Sequence, residues 1–411
     1  MKKLLQQMKK LKSKLVEWVY SSIMPYVDRV MAKRFIKRLQ KKKTDPSRPI
    51  KVGFVVQMPQ IWNKEAPLYE AMVRDPRFEP WLIVVPSYNL ATQRRGDYGT
   101  ELEYFTAEYP EAKLLTMKEM GDDFGGLSGQ GFAYVFFQRC WEAYVPAKLH
   151  TRNVLRYAKS CYVPYDYHLG APSSNYYHSS FYNNLYVLFC SNDDDLKWYQ
   201  PKPPRRSVSI GYPSLADLSY MNPPEQRLRI LWTPRWVVTS STFFAYKDCF
   251  LALKREHPEL EIVMRPHPLT FENAIHAGKM TEAEVAQYRA SCQECGVRFD
   301  QNASIDDTLR QTDILVSDFS SILADAACLG IPIIYTGSPD FSNPNSTMRG
   351  ILDSAYFAEN WDELKQQILL LSSGTDPNLE LRYQLASTLQ DNNRHSVENI
   401  PNYLIQDYYQ H

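Results

Sequence analysis

"ILVSDFSSILADAACLGIPIIY", residues 314–335, decides how this chain is read. An apolar run ends in a polar knot at Ser317, Asp318, Ser320 and Ser321. An Ala/Leu-rich segment follows, stops at Gly330, and gives way to a second apolar run. This is the pattern of strand, turn, helix, strand. The two serines then stand at a helix start beyond the carboxyl end of a strand, where parallel α/β sheets hold phosphates. Ser320 is a suitable N-cap, and the amides after it carry the positive end of the helix dipole. Asp325 lies one helical turn beyond Ser321, placed to accept from sugar hydroxyls. The competing reading is an ordinary capped helix with a satisfied aspartate.

Outward from this stretch, the same alternation recurs. "LRILWTP", "LEIVMRPHP", "VRFD" and "DILVSD" read as strands, with helices expected over 246–256, 281–292 and 305–311. Further upstream, "IKVGFVVQ" from Ile50, "PWLIVVP", "AYVFFQ", "SCYVPY" and "LYVLFCS" form an earlier strand series, with a helix expected over 65–73. Two such series imply an α/β fold of two doubly wound Rossmann-like domains facing each other across a cleft. A proline-rich stretch near 200–225 marks the boundary. The expected divisions are an arm at 1–48, a first domain at 49–210, a second at 211–395 and a terminal helix at 396–411. That last helix, aromatic-rich, is expected to return to the first domain.

Several strand ends carry chemistry. In "MRPHPLT", residues 264–270, a strand ends in Arg265, and prolines on both sides fix the backbone around His267. Guanidinium and imidazole together suit a phosphate, one by bidentate contact and the other by an N–H donor. "LWTPRWV", residues 231–237, places Thr233 and Arg235 at the first turn of the second domain. "CYVPYDYHLG", residues 161–170, puts Asp166 and His168 at a first-domain strand end, where either could be a general base; His178 is a competitor. His257, in "REHPEL", ends a surface helix and needs no function. "NDDD" at 192–195 reads as helix-start acids complementing a dipole, not as a metal motif. No nucleotide-binding glycine loop, nucleophile elbow or H-E-x-x-H is present.

Charge is unevenly placed. The chain carries a net +1, but residues 1–43 hold fourteen Lys/Arg against two acids, a net +12 that leaves −11 for the remainder. Such a remainder does not describe a nucleic-acid binder. Leu4, Leu5, Met8, Leu11, Leu15 and Trp18 recur at three- and four-residue steps among lysines, which describes a basic amphipathic helix for an anionic membrane interface. The other reading is a basic helix packed on its own protein. Seven scattered cysteines argue for a reducing compartment, and the single C-x-x-C, Cys292 and Cys295, has no second pair to complete a metal site. No metal or cofactor is assigned.

"RPHP", "VSDFSSILADAACLGIPIIY", "LWTPRW" and "GYP" at 211–213 together resemble the CDP-glycerol glycerophosphotransferase family of teichoic acid polymerases and primases. "VGFVVQMPQIWNKEAPLYEAM" and "CYVPYDY" resemble its less typical members. The resemblance implies a GT-B fold and a CDP-activated polyol donor with no cofactor. It implies that Arg265 and His267 meet the donor pyrophosphate, that Ser320 and Ser321 cap it, and that Asp325 contacts ribose. It further implies a first-domain histidine as base. The family's tryptophan-histidine-glycine motif is missing here, and His168 is the nearest candidate. A glycan or lipid-linked acceptor and attachment to the inner face of the cell membrane are also implied. A UDP-sugar glycosyltransferase or epimerase, and a non-catalytic scaffold of polysaccharide assembly, are the alternatives. Oligomeric state stays open.

Overall fold

Strand Ile50–Val56 (β1) lies at the heart of a parallel sheet, and six of its seven residues are buried because both sheet faces are covered. The computed structural model describes residues 23–42, 44–89, 94–95, 98–171, 179–199, 206–302, 304–337 and 343–410. The chain divides into two units. One comprises Met1–Asp166, Pro172–Ser214 and His395–His411; the other comprises Tyr167–Ala171 and Leu215–Arg394.

In the first unit the strands after β1 are Phe78–Val84 (β2), a short hairpin of Tyr88–Asn89 (β3) and Arg94–Arg95 (β4), Lys113–Leu115 (β5), Tyr134–Phe137 (β6), Lys159–Tyr162 (β7), Val187–Cys190 (β8) and Arg206–Ser209 (β9). The main sheet runs β5-β2-β1-β6-β7-β8-β9, every pair parallel. Gly53 lets β1 approach its neighbours, since a Cβ there would meet Ile83 Cδ1 at 2.7 Å. The terminal helix Ser396–Tyr409 belongs to this unit and is locked by Asp407. Its carboxylate accepts from Lys159 Nζ at 2.6 Å, Tyr134 Oη at 2.8 Å and Arg206 Nη1 at 2.9 Å, and from Tyr186 Oη. Burial alone would raise its pKa; the Lys159 charge and these hydroxyls override burial and hold it below the usual carboxylate range.

The amphipathic stretch 4–18 lies outside the described residues. The helix Met24–Gln40 packs on its own unit: Asp28, Ala32 and Ile36 form a buried face, and Asp28 accepts from Ser180 Oγ at 2.9 Å. Its other face leaves Tyr26 (64%), Val27 and Val30 exposed. This half of the basic segment therefore packs on its own unit through one face and leaves the other exposed. Among the described residues no helix is long and apolar enough to cross a membrane.

The second unit repeats the plan with Arg229–Thr233 (β10), Glu261–Met264 (β11), Arg298–Phe299 (β12), Ile314–Ser317 (β13), Ile333–Tyr335 (β14) and Tyr356–Phe357 (β15), all parallel in the order β12-β11-β10-β13-β14-β15. Trp232 of β10 stacks on Phe250 at 4.2 Å between centroids, inside a core that continues through Ile262, Val316 and Ile334. Helix Ile322–Leu329 is buried at all eight positions and ends at Gly330 in the left-handed region, φ 74°. A Cβ at Gly330 would lie 2.4 Å from the Tyr220 ring, so packing as well as backbone demands glycine. Asn192 caps the helix Asp193–Trp198 by accepting from the Asp195 amide, as the acid-rich start implies.

Candidate functional site

Sheet register brings the second unit's site residues to one level. Thr233 pairs with Ser317, Ser317 pairs with Tyr335, and the Arg265 amide donates to Trp232 O at 2.9 Å. The turns after β10, β11 and β13 therefore leave the carboxyl edge side by side, where doubly wound sheets bind ligands.

The polar knot divides into an inner and an outer half. Ser317 and Asp318 are inward, Asp318 at 1% exposure. One Asp318 oxygen accepts from the amides of Arg235 (2.9 Å) and Thr242 (3.0 Å); the other accepts from the hydroxyls of Thr242 (2.7 Å) and Thr336 (2.9 Å). This carboxylate ties the turns after β10, β13 and β14 together, a role that the sequence alone does not assign. Thr233, expected to face a ligand, instead donates to Ser317 Oγ at 2.7 Å within the protein. Ser320 and Ser321 form the outer half and are partly exposed, and neither hydroxyl is engaged among the described residues. The helix starts one residue later than expected, with Ser321 at the N-cap and no side-chain cap bond. The amides of Leu323 and Ala324 bond back to Ser320 O and Ser321 O.

The two arginines differ. Arg265 pairs with Asp300 and donates to Asn302 O at 3.0 Å, so it turns toward the loop after β12, away from β13, and its charge is compensated. Arg235 has no carboxylate partner among the described residues; its guanidinium lies 5.6 Å from the Phe319 ring, next to Ser320. His267 Nδ1 accepts from the Leu269 amide at 3.1 Å, which fixes the neutral tautomer with the proton on Nε2. Its ring rests 5.6 Å from Trp236, and desolvation pushes its pKa below the usual imidazole value. The turn after β10 thus links the others: Trp236 to His267 on one side, Arg235 to Phe319 on the other. Sequence pattern does not single out Trp236 and Phe319, because exposed or half-exposed aromatics carry no periodic signal.

Asp325 is 2% exposed, on a helix buried at every position. His168 is 7% exposed and lies in the segment Tyr167–Ala171, grouped with the second unit; its carbonyl accepts from Asn345 Nδ2 at 2.6 Å. Asp166 ends the first unit's segment. His178 lies outside the described residues. His257 ends the helix Phe243–Glu256 and meets Glu259 at 3.1 Å, as a surface cap. Among the described residues, no group of three or more His, Cys, Asp or Glu side chains is placed to hold a metal ion. Cys292 is buried and Cys295 partly so, at the end of helix Glu282–Cys295, both as free thiols.

Comparison with known proteins bears on this same region. Residues 220–359 match the family model for CDP-glycerol:poly(glycerophosphate) glycerophosphotransferase, a span that contains Thr233, Arg235, Arg265, His267, Asp318, Ser320, Ser321 and Asp325. No curated protein matches the chain by sequence. A putative UDP-N-acetylglucosamine 2-epimerase from Listeria monocytogenes has the same fold, with a TM-score of 0.58, 14% identity, and coverage of 88% of this chain and 97% of that one. The wall teichoic acid polymerase TagF, in a variant soaked with CDPG, gives a TM-score of 0.55 at 11% identity, covering 96% and 98%. A Neisseria meningitidis UDP-GlcNAc 2-epimerase bound to UDP-GlcNAc gives 0.54 at 10%, covering 87% and 100%. The α/β, GT-B-like architecture is therefore established, and within it residues 220–359 resemble the glycerophosphotransferases.

Proposed function

We propose, from the premise that residues 220–359 form a domain of the CDP-glycerol glycerophosphotransferase type, that the chain moves glycerol phosphate or a related polyol phosphate from a CDP-activated donor. The acceptor is a hydroxyl of a cell-envelope or capsular polysaccharide, and CMP is released. The observation that supports this reading most is the pairing of an uncompensated Arg235 with the open helix start at Ser320 and Ser321. In that reading Arg235, the His267 Nε2–H and the two serines surround the diphosphate, while Arg265 lies outboard, holding the turn through Asp300. Asp325, closed off behind the serines, supports the helix start. Thr233 and Asp318 hold the turns in register.

The acceptor oxygen attacks the phosphorus bearing the polyol, the bond to the cytidylate oxygen breaks, and the acceptor proton passes to a base in the segment Asp166–His168. Negative charge accumulates on the bridging and non-bridging oxygens, so the second unit's donors act by electrostatic stabilisation. We assign the protein to the cytoplasmic membrane face, reached through the basic residues 1–22 and the exposed Tyr26, Val27 and Val30.

The test is CMP release from CDP-glycerol by the purified chain, with identification of the nucleotide. His267→Ala should retain its fold and lose ~10²- to 10³-fold in rate. Wild-type turnover by that variant removes His267 from the mechanism. Release of UMP or UDP from a UDP-sugar, with CDP-glycerol untouched, would favour the epimerase-type donor of the same fold.

A further inference from the structure

A second uncompensated arginine lies in the first unit, at the carboxyl edge of its sheet. Arg139 lies two residues past the end of β6 and is partly buried. Its surroundings are built in detail. Gln138 Oε1 accepts from the amides of Gln57 and Met58, both at 2.8 Å, and its Nε2 donates to Met58 O at 2.8 Å. These bonds staple the end of β1 to the end of β6. Gln57 spends its amide nitrogen on Pro86 O (2.7 Å) and Tyr144 O (3.1 Å), which turns its carbonyl oxygen to accept from Arg139 Nη2. Arg139 Nη1 meets the Met58 thioether at 3.1 Å, and the Tyr144 ring lies 4.3 Å from Cζ. Arg139 Nε is buried with no hydrogen-bond partner among the described residues.

Every group that orients this guanidinium is neutral: an amide oxygen, a thioether and an aromatic face. Among the described residues no carboxylate pairs with it. A partly desolvated cation is costly unless an anion completes it, and the one-sided packing here holds the fork rigid for such an anion. Trp141, two residues beyond Arg139 in the chain, is 45% exposed. Trp141 adds an apolar surface for a polyol or sugar face.

We propose that Arg139, set by Gln57, Met58 and Tyr144 and flanked by Trp141, is the binding site for a phosphate ester carried by the acceptor. This rests on the transferase reading for the ligand's identity as an acceptor, but the site is defined by first-unit residues alone.

The test is isothermal titration of the full chain with glycerol 3-phosphate, glycerol and CDP, in wild type, Arg139→Gln and Arg235→Gln. Wild type should bind glycerol 3-phosphate and not glycerol. Arg139→Gln should lose at least ~tenfold in affinity for glycerol 3-phosphate with CDP binding unchanged, and Arg235→Gln should show the reverse. Arg139→Lys keeps the charge without the planar fork, so it preserves the fold should Gln disturb it; an affinity below wild type is expected. Undiminished glycerol 3-phosphate binding in both Arg139 variants overturns the proposal. So does loss of that binding in Arg235→Gln alone, or no binding by wild type. Failure of CDP to bind any variant, with glycerol 3-phosphate still dependent on Arg139, would retire the donor assignment and leave this site standing.

Discussion

Asp318 shows how one residue can organise a site without touching a ligand. Four protein donors saturate its carboxylate, and those donors come from the turns after β10 and β14, so the geometry of Arg235 depends on it. The opposite case is Glu65, in the first unit. Its carboxyl is buried, both oxygens lack partners among the described residues, and burial pushes its pKa up to about 8. The native state therefore holds a proton there that the unfolded chain gives up near its ordinary carboxyl pKa. Stability from this group is complete below about pH 4 and is lost as pH rises through about 8. Glu65→Gln should accordingly stabilise the protein at pH 8, by roughly 1–3 kcal/mol of relieved desolvation, and by much less at pH 5. Denaturant unfolding at both values measures this; equal or lower stability of the variant at pH 8 contradicts it.

At the scale of elements, the buried ion cluster on Asp376 ties the entry to β10 to the helix Leu379–Asn393. Arg227 and Arg382 both pair with its carboxylate, and Tyr356 Oη donates at 2.7 Å. Burial opposes ionisation, but these partners override it and hold the pKa at about 2. The stability this group contributes is present above the unfolded carboxyl pKa of about 4 and is lost as pH falls through about 2. Asp376→Asn leaves two buried guanidinium groups unpaired and should cost about 3–5 kcal/mol at pH 7. It should also flatten the acid limb of stability between about pH 4 and pH 2. Unfolding curves that match wild type across that range would refute this. The strand-turn-helix core was legible because parallel strands, covered on both faces, read as apolar runs, and because Gly330 stops its helix. Edge strands were not: β9 has no fully buried residue and follows a proline-rich stretch, and β15 spans two residues. His267, Ser320 and Ser321 stood out through their prolines and helix-start chemistry. The difference between Arg235 and Arg265 was invisible, because Asp300 lies 35 residues from Arg265 and only the fold brings them together.

At the scale of the whole molecule, basic charge is concentrated before residue 44, and the helix Met24–Gln40 is docked through Asp28, Ala32 and Ile36. Removing residues 1–22 alone therefore spares a packed face. That truncation should lower co-sedimentation with anionic phospholipid vesicles, its six lysines being worth about 1 kcal/mol each near the surface, and should leave nucleotide affinity unchanged. Equal sedimentation with and without those residues would remove the membrane assignment. The account rests most on the second unit's cationic site, and calorimetric titration of CDP against wild type, Arg235→Gln and Arg265→Gln tests it directly. Arg235→Gln should weaken CDP by about tenfold or more, the loss of a charge-assisted contact, while Arg265→Gln changes it less. CDP binding with wild-type affinity to Arg235→Gln would contradict the account.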